Sequence, residues 1–211
     1  MKKKERIERI LQILEAEYGT TGTALDYDSP FQLLIATLMA AQSTDVRVNI
    51  VNKKFFGDHP RARDVARLSV EEIESYIKTV GLYKTKARNI AKTSKILAEQ
   101  YDGDIPETRE ELEKLPGVGR KTANVVLSIA KNVPAIAVDT HVFRVSNRLG
   151  LASAGDVLKT EMQLMKNIPR EKWSQAHHWL IWHGRRVCKA RKPLCAGCSL
   201  LELCSFKEKN L

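Results

Sequence analysis

Residues 115–123 read Leu-Pro-Gly-Val-Gly-Arg-Lys-Thr-Ala and join two segments whose sequences favour helices. Before them, Thr108 and Glu111 have the three-residue spacing of a capping box, which opens a helix. After them, the Ala-rich stretch from Lys121 to Ala130 favours a second helix. The sequence therefore predicts a helix, a glycine-containing turn and a helix at about residues 108–130.

The two glycines of this turn, Gly117 and Gly119, indicate a site for an anion. Glycine adopts positive φ and lets the backbone approach a ligand closely, so successive amide N–H groups can face an anion at the start of the second helix. A DNA phosphate fits this description. A simple turn between two helices, without a ligand, is the alternative.

The composition favours a folded protein with a polyanionic partner. The chain has 211 residues, with 35 Lys and Arg against 25 Asp and Glu, so its formal net charge is +10. A hydrophobic fraction of 43% excludes wholesale disorder, and the length suits one large domain or two small ones. The most apolar stretch, Phe31–Ala41, is too short to span a bilayer, and the N-terminus lacks the features of a signal peptide. We therefore expect a cytoplasmic protein with no membrane contact.

Helical signals recur along the rest of the chain. An amphipathic pattern covers Lys4–Tyr18, and a long helical pattern covers Lys86–Tyr101. Helix caps are predicted at Ser29-Pro30 and Thr44, and a further capping box at Ser69 to Glu72. The alternation typical of strands is almost absent, with Val133–Val138 as the one ambiguous run. The sequence predicts an all-α fold.

Four cysteines lie close together near the C-terminus with the spacing C-x6-C-x2-C-x5-C, at Cys188, Cys195, Cys198 and Cys204. A reducing compartment disfavours disulfides, so these thiols indicate a four-thiolate metal site. Either zinc or an iron–sulfur cluster is possible, and the presence of one C-x2-C pair rather than two favours the cluster. On the segment before Cys188, the histidines His177, His178 and His183 are expected to pack within a helix rather than to bind metal.

Three motifs occur in a characteristic order: Leu-Pro-Gly-Val-Gly-Arg-Lys-Thr-Ala-Asn at 115–124, Val-Asp-Thr-His-Val-Phe-Arg-Val at 138–145, and the four-cysteine tail. Together they resemble the helix-hairpin-helix DNA glycosylases of the endonuclease III family. The resemblance runs from about Ser29 to Lys207 and includes Ala41–Asp45 and Val80–Tyr83.

The resemblance implies two packed all-α domains with a DNA cleft between them. A six-helix domain at 21–132 would carry the hairpin. The second domain, 1–20 plus 133–211, would hold a [4Fe-4S] cluster in the loop 188–204. The resemblance implies a monomeric base-excision repair enzyme, which removes damaged pyrimidines from duplex DNA and nicks the abasic strand.

Two residues are candidates for the chemistry. A bifunctional glycosylase needs an amine that attacks the sugar C1′ and forms a Schiff base, and the resemblance places this amine at Lys121. The positive end of the second helix, with Arg120 beside it, favours a neutral amine. Asp139 would stabilise the cationic sugar and accept a proton. Considered singly, Lys121 would be assigned to solvent or phosphate pairing and Asp139 to a helix cap, and only the resemblance favours catalysis for both.

Other residues are candidates for DNA contact. The resemblance matches Gln42 and Leu82 to side chains that enter the duplex when a base is flipped out, although a surface cap and a loop leucine packed on the core are alternatives. Between the first two cysteines, a basic loop is expected to meet phosphates, and its cations are Lys189, Arg191 and Lys192.

Two other functions compete with this interpretation. A monofunctional mismatch glycosylase of the same superfamily, acting on adenine, thymine or uracil, would activate water with the aspartate and typically lacks the hairpin lysine. A non-catalytic DNA-binding or electron-transfer module would need neither residue. Lys121 argues against the first function, and the joint presence of Lys121 and Asp139 argues against the second.

Overall fold

The computed structural model describes all 211 residues and contains helices but no strands. The predicted all-α fold is confirmed, and Val133–Val138 forms no strand. The helices are α1 Lys3–Tyr18, α2 Pro30–Ala40, α3 Asp45–Asp58, α4 Ala62–Val65, α5 Val70–Ile77, α6 Tyr83–Gln100, α7 Arg109–Leu112, α8 Arg120–Ala130, α9 Thr140–Leu149, α10 Val157–Asn167 and α11 Trp173–Arg186. Short 3-10 turns occur at Arg170–Lys172 and Leu201–Leu203.

The chain forms two compact units. One is the continuous segment Ala24–Val133, which contains α2 to α8. The other combines Met1–Thr23 with Pro134–Leu211 and contains α1 and α9 to α11. No helix in either unit is both long enough and apolar enough to cross a bilayer.

Helix α2 is the centre of the continuous unit. Every residue from Phe31 to Met39 is buried, which explains why this stretch is apolar on all sides rather than amphipathic. Ser29 caps the helix by accepting a hydrogen bond from the backbone N–H of Gln32, and Pro30 occupies its first turn. Each fully buried aliphatic or aromatic side chain in this core contributes roughly 1.5–3 kcal/mol relative to exposure.

Local capping explains most helix starts in this unit. Thr44 accepts from the N–H of Arg47, Ser69 accepts from that of Glu72, and Thr108 accepts from that of Glu111. The caps predicted at these positions are confirmed. The helix after Thr108 is a single turn, and α6 begins three residues before the predicted Lys86.

In the discontinuous unit, the N-terminal helix packs into a core formed by C-terminal segments. Ile10 and Leu14 of α1 are fully buried beside Trp179 and Leu180 of α11. The indole N–H of Trp179 donates to the carbonyl of Gly19, at 2.8 Å, just after α1 ends. Residues far apart in sequence therefore build one core.

Candidate functional site

The predicted hairpin is anchored by its own apolar residues. Leu115 and Val118 are buried, and the Val118 N–H donates to the Leu115 carbonyl at 3.0 Å. Gly117 has a φ of 81°, and a Cβ there would lie 2.5 Å from the side-chain nitrogen of Asn89. Gly119, in contrast, has a φ of −100° and open space around the position of a Cβ. The fold therefore requires glycine at 117 but not at 119.

Helix α8 begins directly after this turn. Its N-cap, Gly119, provides no side-chain cap, so the N–H groups of Lys121 and Thr122 in the first turn are available to an external acceptor. The Lys121 side chain is exposed and makes no hydrogen bond or ion pair. Arg120 beside it is half-buried. The start of α8 thus combines a helix N-terminus with a lysine side chain that has no partner within the fold.

Asp139 lies in the discontinuous unit, whereas Lys121 lies in the continuous one. It is the N-cap of α9, where its Oδ1 accepts from the Val142 N–H at 2.8 Å. The capping role considered from the sequence is therefore present. Its other carboxylate oxygen makes no hydrogen bond and is available for a second role.

Arg144, on the same helix, was not identified from the sequence. Its guanidinium donates to the carbonyls of Gly184 and Cys188, at 3.0 and 3.1 Å, and to Nδ1 of His141 at 3.1 Å. Burial lowers the pKa of His141, against an opposing effect of Asp139, so the ring is neutral at neutral pH. The contact fixes the first turn of α9 against the end of α11.

Gln42 and Leu82, the candidate wedge residues that would enter the duplex when a base is flipped out, lie on neighbouring turns of the continuous unit. Gln42 follows α2 and Leu82 precedes α6, and both have left-handed backbones, with φ of 56° and 58°. The side chain of Leu82 is 59% exposed, so it does not fold back onto the core. The N–H of Gly81 donates to the Ser43 hydroxyl at 3.0 Å, which joins the two turns.

Lys86 contacts the same turns and was missed by the sequence analysis, which assigned it only to a long helix. Its side chain is 6% exposed, and its ammonium donates to the carbonyls of Met39 and Ala41 and to the Ser43 hydroxyl. A lysine in a polar helical sequence normally indicates a surface position. No sequence signal therefore distinguishes it.

The four cysteines form no disulfide and line one pocket, together with apolar side chains and three basic ones. Burial, with a smaller effect of the other three thiols, raises the pKa of Cys198. His183 lies at the same place, with Nε2 3.6 Å from the Cys198 sulfur and Nδ1 3.0 Å from the Tyr18 hydroxyl. The structure therefore brings together all four predicted ligands.

The donor set at this pocket is four thiols. No set of three or more His, Cys, Asp or Glu side chains is already placed to hold a metal ion. A zinc ion with four thiolates at about 2.3 Å would draw the sulfurs into a tight tetrahedron. Four thiols that line one pocket are compatible with both kinds of site open from the sequence, a zinc site and an iron–sulfur cluster.

The basic loop before Cys195 is exposed at Lys189, Arg191 and Lys192. The guanidinium of Arg148, on α9, donates to the backbone carbonyls of Lys189 and Ala190 in this loop, at 2.7 and 3.0 Å. The sequence analysis did not identify Arg148. Its contacts fix the loop backbone while the three loop cations point to solvent.

Comparison with known proteins gives one consistent family. The family model described as "HhH-GPD superfamily base excision DNA repair protein" matches residues 35–170. Endonuclease III of Haemophilus influenzae is 49% identical over 209 residues, which covers 99% of each chain. Endonuclease III of Bacillus subtilis is 52% identical over 187 residues, covering 88% of this chain and 85% of the relative.

Solved structures agree with these relatives. A trapped endonuclease III–DNA covalent intermediate has a TM-score of 0.91 and 48% identity, covering 97% of this chain and 96% of that one. A thermostable thymine-DNA glycosylase, at 23% identity and a TM-score of 0.85, shares the fold. The chain therefore belongs to the endonuclease III family of the HhH-GPD superfamily, whose members are base-excision DNA glycosylases and abasic-site lyases.

Proposed function

We propose that this chain excises damaged pyrimidines from duplex DNA and then cleaves the abasic strand, with Lys121 as the nucleophile. The observation that carries the proposal is the exposed, unpaired amine of Lys121 at the start of a helix, directly after the hairpin turn. An amine used for ion pairing within the fold would not be available for chemistry. This one has no such partner.

The proposed reaction has two stages. The neutral amine of Lys121 attacks C1′ of the damaged nucleotide, the glycosidic bond breaks, and the base leaves with its bonding electrons and takes up a proton. Loss of a proton from the nitrogen opens the sugar ring to a Schiff base. Removal of a proton from C2′ then expels the 3′ phosphate by β-elimination, and water releases Lys121.

We propose that Asp139 supports the first stage. Its free carboxylate oxygen would stabilise the positive charge that develops on the sugar, and it would accept the proton lost by the Lys121 ammonium. Its capping hydrogen bond to Val142 holds the carboxylate in one orientation. Capping and catalysis therefore use different oxygens of the same group.

We assign DNA binding to three surfaces. The start of α8, with Gly117, Gly119 and Arg120, would bind a backbone phosphate, because the first-turn N–H groups of Lys121 and Thr122 and the helix dipole favour an anion there. Gln42 and Leu82 would enter the duplex beside the flipped nucleotide. The third surface is the basic loop of Lys189, Arg191 and Lys192, which would add salt-dependent phosphate contacts.

The nucleophile is tested with the substitution Lys121→Ala. The variant should still bind a thymine glycol duplex but should form no covalent complex with the DNA when borohydride is added. Lys114→Ala is the matched control, since it removes another exposed lysine of the hairpin region. Trapping of Lys121→Ala at the wild-type level would refute the assignment, and base release without trapping by the wild type would indicate a monofunctional enzyme.

We further propose that the four cysteines hold a [4Fe-4S] cluster. Four cysteines without disulfides that line one pocket, with a single C-x2-C pair among them, support this. When bound, the cluster would supply four iron–sulfur bonds that tie the loop 188–204 to the end of α11, and no part of the glycosidic chemistry. Purified protein should contain about four irons and four inorganic sulfides per chain. Colourless protein with bound zinc and no iron would refute this.

A further inference from the structure

The Lys86 ammonium is buried without any carboxylate beside it. Its three hydrogen bonds go to neutral oxygens, those of Met39 at 2.7 Å, Ala41 at 2.5 Å and the Ser43 hydroxyl at 3.3 Å. Burial lowers the pKa of Lys86. A buried charge is unfavourable unless hydrogen-bonded, and here each of the three ammonium hydrogens has an acceptor. Such an arrangement is unusual and calls for a structural or functional reason.

Two of the acceptors lie at the end of α2. The last carbonyls of a helix have no partner within the helix, and the helix dipole makes this end negative. Helix α2 has no basic residue in its last turn. Lys86 therefore provides from α6 the C-terminal cap that α2 lacks. It fixes the backbone immediately before Gln42.

The third acceptor connects this cap to the other turn. The Ser43 hydroxyl accepts from both the Lys86 ammonium and the N–H of Gly81. The two turns are in close contact, because a Cβ on Gly81 would lie 2.9 Å from the Gln42 carbonyl oxygen. The backbone N–H of Lys86 also donates to the Leu82 carbonyl at 3.1 Å. Lys86 thus contacts the Ala41 carbonyl and the Ser43 hydroxyl, which flank Gln42, and the Leu82 carbonyl.

Both turns have a backbone that needs such support. Gln42 and Leu82 are non-glycine residues with positive φ, a conformation that persists only where the surroundings enforce it. The Lys86, Ser43 and Gly81 network supplies hydrogen bonds at both turns. Strained residues of this kind cluster at functional sites, where the strain holds a side chain in place for its task.

We propose that Lys86 is a positioning residue for base flipping, which fixes the Gln42 and Leu82 turns to each other so that both side chains enter the DNA as one rigid wedge. The inference rests on the proposed wedge role of these two residues. Lys86 itself does not contact DNA in this scheme. It acts on the base through the two turns.

The test compares two substrates in single-turnover base release. In one, thymine glycol is paired in a duplex, and in the other it faces an abasic analogue, where flipping costs less because no pair is broken. Lys86→Met keeps the side-chain length and removes the donors. It should slow release from the paired duplex by roughly 10- to 100-fold and from the unpaired lesion by less than about 3-fold.

Three further variants make the outcome decisive. Lys84→Met removes the same charge from an exposed neighbour on α6, so any loss should be equal for the two substrates. Ser43→Ala removes the shared acceptor and should produce a smaller loss with the same substrate preference, which covers the case in which Lys86→Met folds poorly. Adding Lys86→Met to Leu82→Ala should cause little additional loss, because the wedge is already absent.

The possible failures are distinguishable. If Leu82→Ala has no effect on the paired duplex, the wedge assignment in the proposed function is wrong, and this inference falls with it. If Leu82→Ala is defective but folded Lys86→Met and Ser43→Ala are not, the positioning role is refuted while the wedge stands. Equal losses on both substrates in those two variants would indicate a purely structural lysine and would also refute the inference.

Discussion

Replacing Leu82 with asparagine should weaken binding to damaged DNA while leaving the fold nearly as stable as before. Leu82 has a left-handed backbone, which costs an ordinary L-residue roughly 1 kcal/mol and which asparagine adopts more readily. The apolar surface that Leu82 already covers is worth a similar amount, about 1 kcal/mol, and is lost. The two effects offset each other, so the free energy of unfolding should change by less than about 1 kcal/mol.

The effect on binding follows from the exposed surface. Leu82 is 59% exposed in the free protein, and that part of its surface would become buried within the duplex. Full burial of a leucine is worth about 1.5–3 kcal/mol, so the exposed part corresponds to roughly 1–2 kcal/mol, or about 5- to 30-fold in the dissociation constant.

The assay is fluorescence anisotropy with two duplexes, one carrying a stable abasic analogue and one undamaged. The loss should be confined to the abasic duplex. Ile50→Asn is the matched control, because Ile50 is 60% exposed in the same unit and is assigned no role in DNA binding. Equal weakening on both duplexes would contradict the wedge, and so would a large loss of stability, which would mean that Leu82 packs on the core.

Two other predictions concern the hairpin and the buried histidine. Gly117→Ala should destabilise the protein by roughly 1–3 kcal/mol, because residue 117 has a positive φ. Gly119→Ala should keep the stability of the protein but weaken DNA binding. Chemical denaturation measures the stability of each variant, and fluorescence anisotropy measures its DNA binding. Burial lowers the pKa of His178 to about 4 from 6.5. The folded protein favours the neutral form of His178, so its contribution to the free energy of unfolding is present above about pH 6.5 and is lost as the pH falls toward 4. At pH 5 the free energy of unfolding should be about 2 kcal/mol lower than at pH 7.5. Urea unfolding at pH 7.5 and pH 5 measures this loss. In His178→Asn the free energy of unfolding should fall by about 2 kcal/mol less between these pH values than in the wild type, and an equal fall in both proteins would contradict the burial effect.

Helix starts were predictable because each depends on a few adjacent residues. Ser29, Thr44, Ser69 and Thr108 cap helices through hydrogen bonds to groups three residues away, and their sequence spacing is sufficient to identify them. The same holds for the apolar face of α1. These interactions form whichever way the helices later pack.

Lys86 and Arg148 were not predictable for the opposite reason. Lys86 contacts carbonyls more than forty residues away, and Arg148 contacts the loop backbone at a similar separation. Their acceptors are backbone oxygens, which every residue carries, so no particular partner type marks them in the sequence. Each also lies in a helix whose pattern suits a surface cation equally well.

Asp139 shows how the two levels combine. From its place before Thr140, the sequence indicated either a helix cap or a catalytic carboxylate, and the structure assigns one oxygen to the cap and leaves the other free. The two hairpin glycines show the same thing. The motif would allow a positive φ at Gly117 and at Gly119, but in the structure only Gly117 has one. The motif identified the residues, and the surrounding atoms decided which feature of each is used.

The sequence by itself determined the all-α fold, the hairpin and the four cysteines, because capping, helical periodicity and ligand spacing are short-range properties of the chain. Only the tertiary structure decided that the four thiols line one pocket, that Leu82 remains exposed, and that Lys86 joins the Gln42 and Leu82 turns. These features depend on which distant backbone groups meet when the helices pack. That outcome is a property of the whole core and of no single segment.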